Sequence, residues 1–191
     1  MPEPSYRPNV YICPPAAFTY AMQAAPRGLG PAEHMPWWTF SVERQGSEHL
    51  NMQGKCLCGS IEFEVRHPPR KLYQCHCSLC RKQSGAASNA AFIVPSENLV
   101  WRAGQHLISS YTKPSGFRSD FCRQCGSPVP NPLRSTPHVW VPVGLLEQSS
   151  SLTVAMHLFV GSKASWEQTP ASGTLHEGMP AFEELLDALH P

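Results

Sequence analysis

No stretch of this 191-residue chain approaches the roughly eighteen consecutive apolar residues that a membrane-spanning helix needs, so no membrane association is expected. Charge is also scarce, at 15% charged residues and a net charge of +1. That balance, together with the lack of a long basic tail, argues against nucleic acid or an anionic polymer as partner, since both are held largely through excess cations. A convincing secretion signal is missing too. Residues 16–25 are mildly apolar, but Pro14 and Pro15 precede them and Arg7 is the sole cation upstream, so a cytoplasmic location is expected.

Regular periodicity is absent from residues 1–51, which hold eight of the twenty prolines and the isolated Cys13. They read as a Pro-rich, disordered N-terminal extension, with Met52 a candidate native start. From Met52 the pattern changes. In "MQGKCLCGSIEFEV", Ile61, Phe63 and Val65 alternate with Glu62 and Glu64, the period of a half-buried strand. Further strand-like runs lie at 89–94, 99–104, 106–111, 138–146 and 155–160, short and separated by Gly, Pro and Ser, which predicts a mostly β domain over 52–191. One helix is predicted from Pro180. Phe182, Leu185, Leu186 and Leu189 fall on one face, and Glu183 and Glu184 suit its N-terminal turn.

The remaining seven cysteines are Cys56, Cys58, Cys75, Cys77, Cys80, Cys122 and Cys125. An odd number at Cys-x-Cys and Cys-x-x-Cys spacing, without a secretion signal, favours thiolate metal ligands over disulfides. "CLCG" and "FCRQCG" each place two cysteines in a tight turn closed by a glycine, Gly59 or Gly126, that tolerates positive φ and lets amides point at the sulfurs. Two such turns complete one tetrahedron, so Cys56, Cys58, Cys122 and Cys125 form an expected structural zinc site.

Cys75, Cys77 and Cys80 are then one ligand short. Either a histidine from elsewhere closes the site, with His106, His138 and His157 available, or the fourth position stays open for chemistry. His76 is poorly placed to serve, because it lies between two ligands and its side chain should project away from the metal. A tri-thiolate zinc is a weak Lewis acid, better suited to activating a thiol than to making hydroxide from water. Residues 66–134, which hold most of these cysteines, carry ten Lys or Arg against two acids. Those cations offset thiolate charge, bind an anionic substrate, or do both.

The ordered set "GKCLCGSIEFEV", "CHCSLCRKQSG", "WRAG", "SSYTKPSGFRSDFCRQCGS", "VPVGLLE", "MHLFVGSKASW" and "MPAF" resembles the glutathione-dependent formaldehyde-activating enzyme and centromere protein V family, over about residues 52–183. The resemblance implies an Mss4-like folded tent of small antiparallel sheets with two zinc ions per chain. It places a structural zinc at Cys56, Cys58, Cys122 and Cys125 and a catalytic zinc at Cys75, Cys77 and Cys80. It further implies a carbon–sulfur lyase that joins glutathione, or a similar small thiol, to a small aldehyde such as formaldehyde. Arg81, Lys82, Lys113, Arg118 and Arg123 are then candidates to meet the thiol's carboxylates. The sequence departs from the family where many members carry "GSLD" and this chain has "GLLE", with Glu147 in place of aspartate. Trp166 is expected in the core. The rival reading is a non-catalytic, zinc-stabilised binding module.

Overall fold

A computed structural model describes residues 51–147, 149, 151–168 and 172–190. The expected extension, Asn51 apart, lies outside the described residues, and so does Cys13.

Strands β1 (Met52–Lys55), β2 (Glu62–Val65) and β3 (Lys71–Cys75) lead into helix α1 (Ser78–Ser84) and β4 (Asn89–Pro95). Next come β5 (Leu99–Ala103), β6 (Ile108–Thr112), β7 (Arg118–Cys122), β8 (Pro128–Val129), β9 (Asn131–Pro132) and β10 (His138–Pro142). Then β11 (Thr153–Leu158), β12 (Thr174–His176) and helix α2 (Phe182–Leu189) follow. The architecture is the mostly β arrangement of small sheets that the resemblance implied. One sheet has the order β1-β2-β5, a second β6-β7-β8, and a larger one β12-β11-β3-β4-β10-β9. The large sheet is mixed rather than wholly antiparallel, because β11 runs parallel to both β3 and β12.

Burial explains the sheets. Ile61, Phe63 and Val65 are all buried, as their alternation predicts, and the Phe63 ring meets Trp101 edge-on at 6.0 Å. Glu64 departs from the alternation: it is buried as well. Asn51 Nδ2 and Arg102 Nη2 donate to its two oxygens at 3.1 and 2.6 Å, and the Arg102 guanidinium holds its carboxyl below the usual carboxylate range. In the large sheet, Phe92, Val94, Val141 and Leu158 form a continuous core with Leu185 and Leu189 of α2. Each such side chain contributes about 1.5–3 kcal/mol relative to exposure. His190, just past α2, bonds the Ile93 carbonyl at 2.8 Å and ties the helix to β4.

Several local expectations are corrected. Gln105–Leu107 form a 3₁₀ turn, so the strand there is Ile108–Thr112, and Val143–Leu145 likewise end the run after Pro142. Helix α2 starts two residues after Pro180. A second helix, α1, exists that the 3.6-residue period does not reveal, since it has seven residues and no buried one. Its ends are set by Cys77, whose Sγ accepts from the Cys80 N–H, and by Gly85 in the left-handed region. Trp166 is not in the core but 72% exposed.

Candidate metal centres

Cys56 and Cys58 follow β1, while Cys122 ends β7 and Cys125 follows in the next turn. In both turns the glycine adopts positive φ, 75° at Gly59 and 77° at Gly126, and its N–H bonds the carbonyl of the first cysteine, at 2.9 and 2.8 Å. The sequence expectation for these glycines therefore holds. Ser127 joins the two turns: its Oγ accepts the Leu57 N–H at 3.0 Å and lies 3.4 Å from Cys125 Sγ. The four sulfurs all lie within 4.8 Å of one another, with Cys56–Cys58 at 3.5 Å and Cys58–Cys122 at 3.9 Å. A tetrahedron with metal–sulfur bonds of about 2.3 Å has edges of about 3.8 Å, so this set fits a tetrahedral ion. Burial pushes the Cys56 thiol up to about 11, which a bound cation reverses. Cys56 and Cys122 also belong to a small second core with Ile61, Leu107 and Val129.

The other three sulfurs sit differently. Cys75 is the last residue of β3, Cys77 caps α1, and Cys80 lies in its first turn, so the strand end and the helix start together converge the thiols to within 4.8 Å. The hydrogen bond from Cys80 holds the Cys75 thiol down to about 6, while the same contact and burial push Cys80 up. Sulfurs this close cannot all be anionic without a cation, and soft thiolates suit a zinc-like ion. All seven cysteines are free thiols.

Among the described residues no histidine or carboxylate joins this trio. His106 is exposed in its turn, and the His138 ring packs edge-on against Phe182 at 5.4 Å. His157 is committed elsewhere. Its Nε2 bonds the Ser172 carbonyl at 2.9 Å, and its Nδ1 meets His76 Nε2 at 3.0 Å. A carbonyl only accepts, so His157 donates from Nε2, and with its charged form disfavoured by burial it accepts at Nδ1 from His76. His76 does turn away from the three thiols, as expected, toward His157 and Glu167. It is buried, and its Nδ1 lies 2.9 Å from Glu167 Oε1. This His76–His157–Glu167 brace pins the turn between Cys75 and Cys77, and no sequence spacing announces it.

The trio opens onto a cleft of about 360 Å³ walled by Tyr73, Phe117, Leu133, Trp140, Phe159 and Met179. Of the five cations expected at substrate, Arg118 lines this cleft, but Asp120 grips it at 2.8 Å through both carboxylate oxygens. Lys113 lines an adjoining groove of about 460 Å³, which shares Gly116, Arg118, Leu133 and Arg134 with the cleft. Lys82 lines a smaller cavity beside it, with Lys113 and Phe117. Arg81 instead donates to the Ser162 carbonyl at 3.3 Å, and Arg123 sits in the turn of the four-cysteine cluster. Arg134, at the rim of both cleft and groove, was not singled out by sequence. It pairs with no acid among the described residues. Glu147 forms an ion pair with Lys55, in a separate charged groove that holds no cysteine.

The family model for glutathione-dependent formaldehyde-activating enzyme matches residues 51–162, more than half of the chain and all seven clustered cysteines. The chain belongs to this family. A Halomonas elongata protein provisionally named as such an enzyme is 30% identical over 82 residues, 40% of this chain and 52% of that protein. An Aspergillus terreus protein of the same provisional name is 29% identical over 76 residues, 40% of each chain. The chain thus spans about half or less of the length of these relatives. A crystal structure of a Rhodobacter sphaeroides protein is 28% identical, with a TM-score of 0.43, covering 51% of this chain and 89% of that one.

Proposed function

We propose that the chain is a zinc-dependent carbon–sulfur lyase of the cytoplasm, acting on the adduct of glutathione or a similar small thiol with a small aldehyde such as formaldehyde. The observation that carries this reading is the contrast in ligand number and access: four thiols gathered on turns away from the cleft, three at its floor. On this reading residues 52–191 form the catalytic domain. Cys56, Cys58, Cys122 and Cys125 hold a structural zinc, and Cys75, Cys77 and Cys80 hold a second one. Zinc held by three thiolates supplies an exchangeable position that stabilises the anionic form of a thiol near neutral pH.

The chain's own residues do the rest. The His76–His157–Glu167 brace fixes the turn that carries Cys75 and Cys77. The cleft walls hold the carbonyl compound beside the thiol and limit access of water. Lys113 and Arg134 meet the thiol's carboxylates. In the forward direction the sulfur bonds to the carbonyl carbon, the π pair moves to oxygen, and that oxygen takes up a proton equivalent to the one the thiol lost. The lyase direction reverses each of these changes.

Cobalt loaded in place of zinc tests the reading. Glutathione should change the sulfur-to-metal charge-transfer band of the more readily exchanged ion, whereas S-methylglutathione, which lacks an ionisable thiol, should leave it nearly unchanged. A chelator should remove that same ion with the fold intact. No spectral change at saturating glutathione, with both ions equally resistant to chelator, would favour the zinc-stabilised binding module.

A further inference from the structure

The cleft beside Cys75, Cys77 and Cys80 is larger and more apolar than formaldehyde requires. Formaldehyde has two heavy atoms and needs little more than one water's share of volume, about 30 Å³. The cleft offers about 360 Å³. Glutathione is a poor candidate to fill the remainder, because its two carboxylates and ammonium need charged or hydrogen-bonding partners when taken from water. In the cleft those partners are few. Arg118 is already gripped by Asp120, and the Gln83 amide is spent on Ser119 Oγ at 2.8 Å and Asn89 Nδ2 at 2.9 Å. Of the cations with free capacity, Lys113 lines only the adjoining groove of these two and Arg134 stands on the rim they share, with Gly116, Arg118, Pro132 and Leu133, so uncommitted charge lies at and beyond that shared wall while the apolar side chains line the cleft.

Phe159 supplies a second, independent sign. This bulky aromatic sits in the left-handed backbone region, at φ 58° and ψ 43°, immediately after β11. A non-glycine, aromatic residue rarely adopts that conformation, which persists only where the surroundings enforce it and which concentrates at ligand-binding positions. The result is an aromatic ring on the cleft wall beside the cysteines. Met179 adds a flexible apolar side chain at the mouth, 59% exposed, of the adaptable kind that moulds to varied apolar ligands.

We infer that the electrophile handled at this site is an aldehyde with an extended apolar body, an alkyl chain of several carbons or an aromatic ring, rather than formaldehyde itself. The inference rests on the lyase reading and narrows its substrate. The apolar body lies against Phe159, Leu133 and Met179, while the thiol's carboxylates stay in the groove of Lys113 and Arg134. The thiol sulfur forms the carbon–sulfur bond, the carbonyl π pair moves to oxygen, and the oxygen takes up a proton, giving a hemithioacetal with no redox co-reactant.

The test is a series of formaldehyde, butanal, hexanal and benzaldehyde with glutathione fixed, reading enzyme-dependent kcat/KM above the spontaneous rate on full-chain, zinc-loaded protein. The value should climb along the series, by up to about fourfold for each methylene fully buried, the equivalent of about 0.8 kcal/mol. Met179→Lys, at an exposed position, and Phe159→Asn, which keeps a residue tolerant of the left-handed region, should each lower the hexanal-to-formaldehyde ratio at least threefold. A flat or falling series with formaldehyde turned over overturns the inference and leaves the lyase reading standing. If no aldehyde is turned over, the lyase reading fails, and calorimetric titration with 1-hexanol decides the cleft. Heat of binding that Met179→Lys diminishes supports an apolar ligand site, and no heat overturns it.

Discussion

The two cysteine clusters use the same side chain in different structural settings. The four-cysteine set draws one pair from the turn after β1 and one from the turn at the end of β7, so it fastens two small sheets that share only a modest core. The three-cysteine set is local: a strand end, a cap and a helix turn within six residues, at the margin of a large sheet whose core takes in Cys75 and has Cys77 and Cys80 packed against it. A ligand set that joins distant segments is part of the fold. On the proposed reading, one assembled locally beside a cleft would leave a bound metal free to serve chemistry.

The largest expected effect follows directly. Structural zinc sites contribute about 10–16 kcal/mol of apparent binding energy, as much as the whole stability of a typical domain at about 5–15 kcal/mol. Cys56→Ser or Cys122→Ser should therefore abolish the cooperative thermal transition by circular dichroism. Cys80→Ser should keep that transition and bring the zinc content down toward one ion per chain. Equal loss of structure in all three variants would erase the distinction between the clusters.

An intermediate effect is expected at the brace. Glu167→Gln keeps the shape but replaces the carboxylate 2.9 Å from buried His76 Nδ1 with an amide, and His157→Leu removes the acceptor that His76 Nε2 needs. Unmet buried polar groups cost about 1–3 kcal/mol, so melting temperature should fall by several degrees while the chain still folds. The measurement that separates positioning from plain stability is metal affinity. The more readily chelated ion should be lost at lower chelator concentration, with the other unaffected. A uniform weakening of both ions would mean that the brace serves the whole fold and not the Cys75–Cys77 turn.

These contrasts also mark what a sequence discloses. The gathering of the thiols into four and three was legible because cysteines in tight turns have fixed spacing and demand glycine, and α2 was legible because its buried face repeats at the helical period. The β2 strand was legible for Ile61, Phe63 and Val65 but not for Glu64, whose burial depends on Arg102 from another strand. Helix α1 escaped because a Cys77 cap, a Gly85 stop and the clustered thiols, not a buried stripe, define it. The parallel pairing of β11 with β3 and the meeting of His76 with Glu167 join segments far apart in the chain. A lone tryptophan or arginine carries no periodicity at all, so Trp166 was misplaced and Arg134 overlooked.

The smallest expected effect concerns Arg118 and Arg134, which line the same cleft but differ in their partners. Asp120 is buried and held by Arg118 through two bonds of 2.8 Å, so Arg118→Gln strands a buried carboxylate and should lower the melting temperature. Arg134 is exposed and pairs with no acid among the described residues, so Arg134→Gln should leave stability within about 0.5 kcal/mol. Its cost should appear instead against the thiol. An exposed ion pair is worth about 0.2–1 kcal/mol, so KM for glutathione should rise about two- to fivefold with kcat little changed, and the rise should shrink at high salt. A thiol without carboxylates, such as 2-mercaptoethanol, should be indifferent to the substitution. If both thiols suffered equally, Arg134 would be shaping the cleft rather than meeting charge, and the division between a cationic groove and an apolar cleft would fail at its boundary.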